Sequence, residues 1–538
     1  VTAVEAAPTS RVGRIRVLIG DYLDRPYASV QLLVVAGGLL IAFGLLMAGS
    51  TTISASLHDN ASGGASGAIW SGLIKHVMFL SGGLVLLWFC VALPPRAYRT
   101  LVYPTVAVAL LCLFAVLVPG IGAEINDARR WIDVGPVQLQ PSEFAKFAML
   151  LWGADLLARK QRLGTLTKAR HVLIPLVPGF ALTCGLVMLE PDLGTTMCFL
   201  LILLSLLWTV GLPLRYFALM LIAMAGGVAL LAVSASYRLA RLTSYSDPFA
   251  DAQGTGYHAV QGLYALASGG LFGVGLGQGT SKYGWVPNAS TDYVFSVIGE
   301  ELGLLGCVTV LALFGLLAYA TLRVARRTAD PFVTLAASGA AVWITGQALI
   351  NIGYVTALLP VTGIPLPFIS AGGTSLMLMC GVLGMLLSFA RHEPDAVTAS
   401  RVADGAGRRP LIERVLRLSV PRPFVEAPRP ARRPAPAARP RPKAAPKAAL
   451  RRAAAPDVPG AGPLSARRSR PPVPQPARAA QPPQRRDAAA MGRPAAPVGR
   501  PAAPGRPAAP VGRAPVPVGR SAAARAGTSR PRRADRSA

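Results

Sequence analysis

Ten long apolar stretches, separated by short polar connections, occupy the first 391 residues. They run over about 30–49, 72–94, 99–120, 141–157, 171–189, 194–211, 214–235, 293–320, 332–357 and 370–390. Most reach the ~20 residues that a helix needs to cross a bilayer. The fourth and sixth are shorter, so their ends are the least defined. The pattern predicts an all-α polytopic membrane protein with about ten transmembrane helices. One connection, about 236–292, is much longer than the others. It mixes Tyr, Trp and repeated Gly with apolar residues. Long structureless loops are uncommon in compact folds, so an ordered loop lying against the membrane is expected there. Beyond Arg391 the apolar pattern stops.

Composition divides the chain at the same place. Of its 538 residues 52% are hydrophobic, yet the net charge is +29. Residues 1–391 carry 23 Lys+Arg against 17 Asp+Glu, and residues 392–538 carry 31 against 8. The second part also holds 29 of the 47 prolines. A single soluble domain is excluded, as is a nucleic-acid enzyme built on a conventional basic domain. The organisation read from this is a cytoplasmic segment 1–29, a membrane domain 30–391 and a basic tail 392–538. The first segment is polar and basic, and the apolar run behind it reads as an anchor, so no cleavable signal peptide is expected. The tail contains a degenerate repeat, Gly492-Arg-Pro-Ala-Ala-Pro-Val-Gly-Arg500 and its successors to Arg520. Such a composition cannot bury a core and predicts disorder or local polyproline II. Cys90, Cys112, Cys184, Cys198, Cys307 and Cys380 all lie in apolar runs without zinc-site spacing, and read as packing residues.

Lys and Arg orient the helices. Arg11, Arg14, Arg16 and Arg25 precede the first. Arg96 and Arg99 lie at the second connection, and Arg159, Lys160, Arg162, Lys168 and Arg170 at the fourth. Arg215 marks the sixth, and Arg323, Arg326 and Arg327 the eighth. With ten spans all of these share the side of the tail, which is therefore cytoplasmic. The first opposite connection, Ser50 to Ser71, has no Lys or Arg.

Even-numbered helices then start on the outer face, and four polar clusters stand at their starts. These are Gln140-Pro-Ser-Glu143, Glu190-Pro-Asp-Leu-Gly-Thr195, Asn288-Ala-Ser-Thr-Asp292 and Ser370-Ala-Gly-Gly-Thr-Ser375. Helix N-termini carry free N–H groups and partial positive charge. If they converge, they form an anion site at the depth of a lipid-linked diphosphate. Arg129, Arg130, Lys146, Arg238, Arg241 and Lys282 could add charge there, and Ser370, Thr374 and Ser375 could add hydroxyls. Taken singly, each cluster reads more readily as ordinary capping, and it is four of them on one face that point to a site. Charged groups within spans mark function by default. Glu143 and Lys146, three apart, share a helix face and could simply neutralise one another. Glu300 and Glu301 lie about 12–14 Å beyond Asp292 along a continuous helix, too far to serve one bond with it. They read as partners of a buried cation or polar network. Asp292, at the outer mouth beside the long loop, is either an N-terminal aspartate or a site residue.

Several motifs, in order along these spans, resemble the SEDS family (shape, elongation, division and sporulation; FtsW, RodA and SpoVE). Ala128-Arg-Arg-Trp-Ile-Asp-Val-Gly135 with Gln140-Pro-Ser-Glu-Phe-Ala-Lys146 is similar to its RRWI and QPSE blocks. Glu190-Pro-Asp-Leu-Gly-Thr195 resembles its PDLGT turn, and Ala267-Ser-Gly-Gly-Leu-Phe-Gly-Val-Gly-Leu-Gly277 its glycine-rich loop. Thr291-Asp-Tyr-Val-Phe-Ser-Val-Ile-Gly-Glu-Glu-Leu-Gly303 resembles TDFIFAVIGEELG. Leu358-Leu-Pro-Val-Thr-Gly-Ile-Pro-Leu-Pro-Phe-Ile-Ser370 with Gly372-Gly-Thr-Ser375 resembles its last motif. The departures are Ser290 and Ala357, where the family often has His and Gly, and His258, where it often has Gln.

The resemblance implies a peptidoglycan glycosyltransferase that polymerises lipid II at the outer face of the bacterial cytoplasmic membrane. It implies that Asp292 is the essential carboxylate, as general base or as ligand of a divalent cation (Mg2+ or Mn2+), with Glu143, Asp192, Glu300 and Glu301 in a supporting network. No organic cofactor is implied. The implied partner is a class B penicillin-binding protein of the FtsI transpeptidase type, with other division proteins. The tail resembles that of actinobacterial members of the cell-division branch more than the RodA elongation branch. Its charge suits anionic lipid or acidic proteins, and it lacks the aromatics that would stack nucleic-acid bases. A lipid II flippase and a non-catalytic division scaffold are the competing functions.

Overall fold

The computed structural model describes residues 17–423 except 19, 62–69, 126–127, 136, 167–168, 234–248, 255 and 409. A helix stands at each of the ten apolar stretches. These are α1 (Ala28–Ala61), α2 (Ser71–Ala92), α3 (Pro95–Leu117), α4 (Pro141–Arg162), the pair α5 (Ala169–Leu173) and α6 (Leu176–Leu189), and α7 (Leu193–Thr209). After α8 (Leu214–Val233) and a helix in the long connection, α9 (Tyr257–Ser268), come α10 (Val294–Arg327), α11 (Pro331–Val355) and α12 (Thr374–Arg391). Two short helices follow, α13 (Pro394–Gly405) and α14 (Leu411–Val415). Seven helices among the described residues, with α5 and α6 taken as one, are long and apolar enough to cross a membrane. The architecture is that of a mostly helical multi-pass membrane protein.

The third connection departs from the all-helical expectation. β1 (Gly122–Ile125), β2 (Ala128–Val134) and β3 (Val137–Leu139) form an antiparallel sheet in that order. Ile132 sits between Gly122 on one side and Leu139 on the other.

Local chemistry sets the helix starts. Pro95, Pro141 and Pro331 occupy first helical positions, where a missing N–H costs nothing. Asp192 caps α7 by accepting from Thr195 N at 2.9 Å, and Asp330 caps α11 by accepting from Phe332 N at 3.1 Å. α12 is buried along nearly its whole length and packs most extensively on α2. α10 lies against α11 and α1, and α11 against α4 and α7. At the far end from α7's cap, Arg99 of α3 reaches Asp155 of α4 at 3.6 Å and Asp330 at 3.5 Å, joining three helices.

α10 is broken at Gly303 (φ 66°, ψ −163°), a left-handed backbone that favours glycine. In an unbroken helix the N–H groups of Leu304 and Leu305 would donate to the carbonyls of Glu300 and Glu301. The glycine-rich loop separates these partners. Val274 N donates to Glu300 O at 2.9 Å and Gly275 N to Glu301 O at 3.1 Å. Leu304 N donates to Gly270 O at 2.9 Å and Leu305 N to Leu271 O at 3.3 Å. A Cβ on Gly303 would lie 2.4 Å from Gly273 N, so the close approach also requires glycine. Four backbone groups freed by the break are thus satisfied by the loop, as burial demands.

Candidate active site

The four polar helix starts meet through one loop, residues 358–373. Ser290, just before Asp292, accepts from Ala371 N through its carbonyl at 2.9 Å. Ser370 Oγ donates to Thr291 O at 2.5 Å and accepts from Leu366 N at 2.8 Å. The start of α7 closes on the same loop: a Cβ on Gly194 would lie 2.8 Å from Thr362 O, so only glycine fits. The start of α4 joins through Gln140 Nε2, which donates to Asp192 Oδ2 at 3.3 Å.

Asp292 sits where these elements join, partly buried, beside Gly363. Its backbone is fixed from α11. Asn351 Nδ2 donates to its carbonyl at 2.9 Å and to Ile364 O at 2.8 Å. Tyr354 Oη lies 2.9 Å from the Asp292 carbonyl and 2.8 Å from that of Ile364, and accepts from Asn351 at 2.6 Å. Both side chains are fully buried. Burial raises the Asp292 carboxyl to about 6. A hydrogen bond from Thr291 and the charge of Arg130 oppose that rise, and Asp192 adds to it.

Arg130, on β2, clamps the turn before α7. Its Nε donates to Glu190 O at 2.9 Å and its Nη2 to Pro191 O at 2.6 Å. Glu190 itself is fully buried, and neither carboxyl oxygen has a hydrogen-bond partner among the described residues. Burial, with Asp192 next, pushes its carboxyl up to about 8, against the pull of Arg130. Asp192 is committed to its cap: Oδ1 takes Thr195 N at 2.9 Å and Oδ2 takes Thr195 Oγ1 at 2.8 Å.

Lys146 is wholly buried in α4. It donates to Glu143 Oε1 at 2.8 Å and to Gln347 Oε1 at 3.2 Å, and stands 5.3 Å from the centre of the Trp343 ring. Gln347 carries the link onward, donating to Pro365 O at 3.0 Å. The Glu143–Lys146 pair therefore braces the same loop from below.

Other expected residues lie apart. Arg129 is paired with the exposed Glu124 at 2.9 Å. Lys282 is the cation facing Glu301, at 2.7 Å, with Ser50 Oγ donating to Glu301 at 2.6 Å. Glu300 accepts from Thr280 N at 2.8 Å and Ser281 N at 3.1 Å, holding the glycine-rich loop. Thr374 and Ser375 are buried at the start of α12, and Thr374 Oγ1 has no hydrogen-bond partner among the described residues. Arg238 and Arg241 fall outside the described residues, as does the tail beyond 423. Asn351, Tyr354 and Gln347 were not among the residues expected from sequence. Their spacing of four and three puts them on one face of an otherwise apolar helix, which is the signal that could have found them.

Among the described residues no group of three or more His, Cys, Asp or Glu side chains could hold a metal ion. Near Asp292, Asp192 already has both oxygens engaged by Thr195 and Gln140.

The FtsW/RodA/SpoVE model, described as a cell cycle protein family, matches residues 30–395. The "Probable peptidoglycan glycosyltransferase FtsW" of Mycobacterium tuberculosis is 42% identical over 424 residues, 79% of each chain. The stage V sporulation protein E of Bacillus subtilis is 37% identical over 319 residues, 59% of this chain and 86% of its own. A solved structure described as "Structural coordination of polymerization and crosslinking by a peptidoglycan synthase complex" is 29% identical. It covers 67% of this chain and 97% of that one, with a TM-score of 0.56. With a match spanning the whole membrane domain and the polar helix starts gathered around Asp292, the chain belongs to the FtsW/RodA/SpoVE family.

Proposed function

We propose that this chain is a peptidoglycan glycosyltransferase of the cell-division branch, polymerising lipid II at the outer face of the cytoplasmic membrane, with Asp292 as general base. The observation that carries this is the setting of Asp292: a partly buried carboxylate, raised to about 6, on a backbone fixed by Asn351 and Tyr354. Such a group is ionised at neutral pH and is a stronger base than an ordinary carboxylate. The acceptor sugar's 4-hydroxyl gives its proton to Asp292 as its oxygen attacks the anomeric carbon of the donor. The bond to the polyprenyl diphosphate breaks, and the diphosphate leaves with the electron pair. One displacement converts an α-linked donor into a β-linked polymer. Negative charge grows on the diphosphate, and fixed positive charge stabilises it. Arg130 suits that task better than Lys146, because its two hydrogen bonds here go to neutral carbonyls, whereas Lys146 is neutralised by Glu143. A divalent cation carried by the diphosphate would meet Asp292, the carboxylate at the centre of the gathered helix starts among the described residues.

The mycobacterial relatives support the division branch. The likeness to a synthase complex that polymerises and crosslinks supports a class B penicillin-binding protein as partner. The run of Lys and Arg at alternate connections supports ten spans with both described ends on the cytoplasmic side. The basic tail suits anionic lipid or acidic division proteins at the septum.

The test is glycan polymerisation by the full chain with its transpeptidase partner, the transpeptidase blocked, and lipid II supplied. Native protein yields polymer, and Asp292→Ala and Asp292→Asn yield none. Polymer from Asp292→Ala would remove Asp292 from the chemistry while leaving the enzyme. Absence of polymer from folded native protein, joined by lipid II movement across vesicles, would move the assignment to a flippase.

A further inference from the structure

A cavity lies at the opposite end of the bundle from Asp292. Asp292 stands just before α10 begins, and the cavity starts one residue after α10 ends, at Thr328. It has a volume of about 320 Å³, within the range of small-ligand sites. Its walls come from the α2–α3 and α10–α11 connections, the end of α12, and the segment 419–423, which returns after α14.

The lining is cationic on one part and apolar on the other. Arg96, Arg391 and Arg422 supply the charge, and Phe389, Val420 and Pro421 the apolar wall. The one acidic residue of the lining, Asp330, is already engaged. It faces Arg99 at 3.5 Å and Arg162 at 3.3 Å, and caps α11. Arg391 is 2% exposed; it pairs with Glu413 at 3.5 Å and donates to Val91 O at 3.2 Å and Ser419 O at 2.8 Å, while its Nε has no hydrogen-bond partner among the described residues. Arg96 and Arg422 stand exposed at the rim and form no ion pair among the described residues. With Arg391 paired to Glu413, Arg96 and Arg422 leave positive charge at the rim of a cavity whose other wall would welcome hydrocarbon.

We propose that this cavity holds the phosphate of an anionic phospholipid drawn from the cytoplasmic leaflet. The phosphate lies among Arg96, Arg391 and Arg422, and the glycerol and first acyl carbons against Phe389, Val420 and Pro421. Basic pockets between helices on the cytoplasmic side suit such headgroups. A lipid seated there would fasten the returning segment 419–423, within the basic tail, to the α2–α3 connection. The proposal rests on the membrane topology and is independent of the glycosyltransferase assignment.

The test uses the full chain in detergent and native mass spectrometry. Dioctanoyl phosphatidylglycerol, dioctanoyl phosphatidylcholine and inorganic phosphate are the probes. One phosphatidylglycerol should be retained and phosphatidylcholine should not. The double variant Arg96→Gln/Arg422→Gln should bind at least tenfold more weakly, with its unfolding midpoint in lipid-free detergent unchanged. Val420→Trp, which fills the cavity and leaves every charge in place, should weaken binding equally. It also carries the test if the double variant does not fold. Retention undiminished in Val420→Trp would place the lipid on the tail or the helix surface and overturn the site. No retained phosphatidylglycerol would overturn it outright. Displacement by inorganic phosphate at equal concentration would overturn the lipid in favour of a soluble phosphate ligand.

Discussion

Asn351 reaches from α11 to hold the backbone carbonyl of Asp292 at 2.9 Å, and with the same amide group holds Ile364 at 2.8 Å. One side chain thus ties the residue proposed as general base to the loop in which the polar helix starts meet. For the proposed reaction this makes it a positioning residue: its amide holds backbone on both sides and does not engage the carboxylate of Asp292.

Asn351→Ala should therefore lower polymerisation while the protein still folds. Loss of a buried hydrogen-bonding side chain costs about 1–3 kcal/mol of stability, which a multi-pass bundle should survive. A reacting group displaced by about 1 Å costs on the order of 100-fold in rate. The expected result is a fall in turnover of roughly 10- to 100-fold, with lipid II binding little changed. Tyr354→Phe, which keeps the ring and removes only the hydroxyl, should fall less. Turnover equal to native in Asn351→Ala would break the link between this contact and the chemistry.

The pH profile follows from the setting of Asp292. A base works in its deprotonated form, so with its carboxyl raised to about 6 the rate should climb through pH 6 and level off above it. An unperturbed aspartate would place that limb near pH 4. Arg130 opposes the rise, so Arg130→Gln should move the limb further up, in addition to any loss from the leaving group. Rates measured between pH 5 and 8 at saturating lipid II would show it. A profile flat down to pH 5 contradicts the assignment of Asp292 as base.

How much of this could be read from sequence depends on the range of the contacts. The helices were legible because hydropathy is local: a helix occupies every one of the ten stretches. Their polar starts were legible too, since caps are set within four residues, as Asp192 and Thr195 show. The sheet at 122–139 was missed because its strands are short and β2 carries two arginines, a charged run that masks the alternation. The break at Gly303 was missed for a different reason. A glycine in an apolar run is usually tolerated within a helix, and the break exists here only because a loop some thirty residues earlier fills it. The pairing of Lys282 with Glu301 has the same character: a buried cation was expected, but its identity depended on a loop fold that no local pattern encodes.

Glu190 gives a prediction about stability. Its carboxyl is raised from the usual range to about 8 in the folded protein. Between about pH 4.5 and 8 the folded state therefore binds a proton that the unfolded state has released. Stability contributed by the protonated form is present at low pH and declines as pH rises through that window. Glu190→Gln keeps the shape and removes the titration. The variant should match native protein near pH 5 and unfold at a higher temperature near pH 8, by an amount that grows with pH. Polymerisation should persist, because Arg130 binds the backbone carbonyl of residue 190 rather than its side chain. Thermal unfolding in detergent at several pH values would check this, and a gain independent of pH would contradict it.

The Lys282–Glu301 pair separates structural charge from chemical charge. Both side chains are buried at 2.7 Å, and Lys282 also donates to Ser50 Oγ and Gly277 O, each at 2.8 Å. The pair joins α1, the glycine-rich loop and the segment of α10 before its break. Removing one partner leaves an uncompensated buried charge, which costs about 3–5 kcal/mol. Lys282→Met alone and Glu301→Leu alone should each destabilise the fold strongly and reduce membrane yield. Removing both charges together leaves only the loss of fit, so Lys282→Met/Glu301→Leu should recover most of the stability of the native chain. It should recover polymerisation in proportion, since neither residue contacts Asp292 or the loop at 358–373 among the described contacts. A double variant that folds as well as native but makes no polymer would instead place this pair in the reaction, and would require the glycine-rich loop to be part of the substrate path.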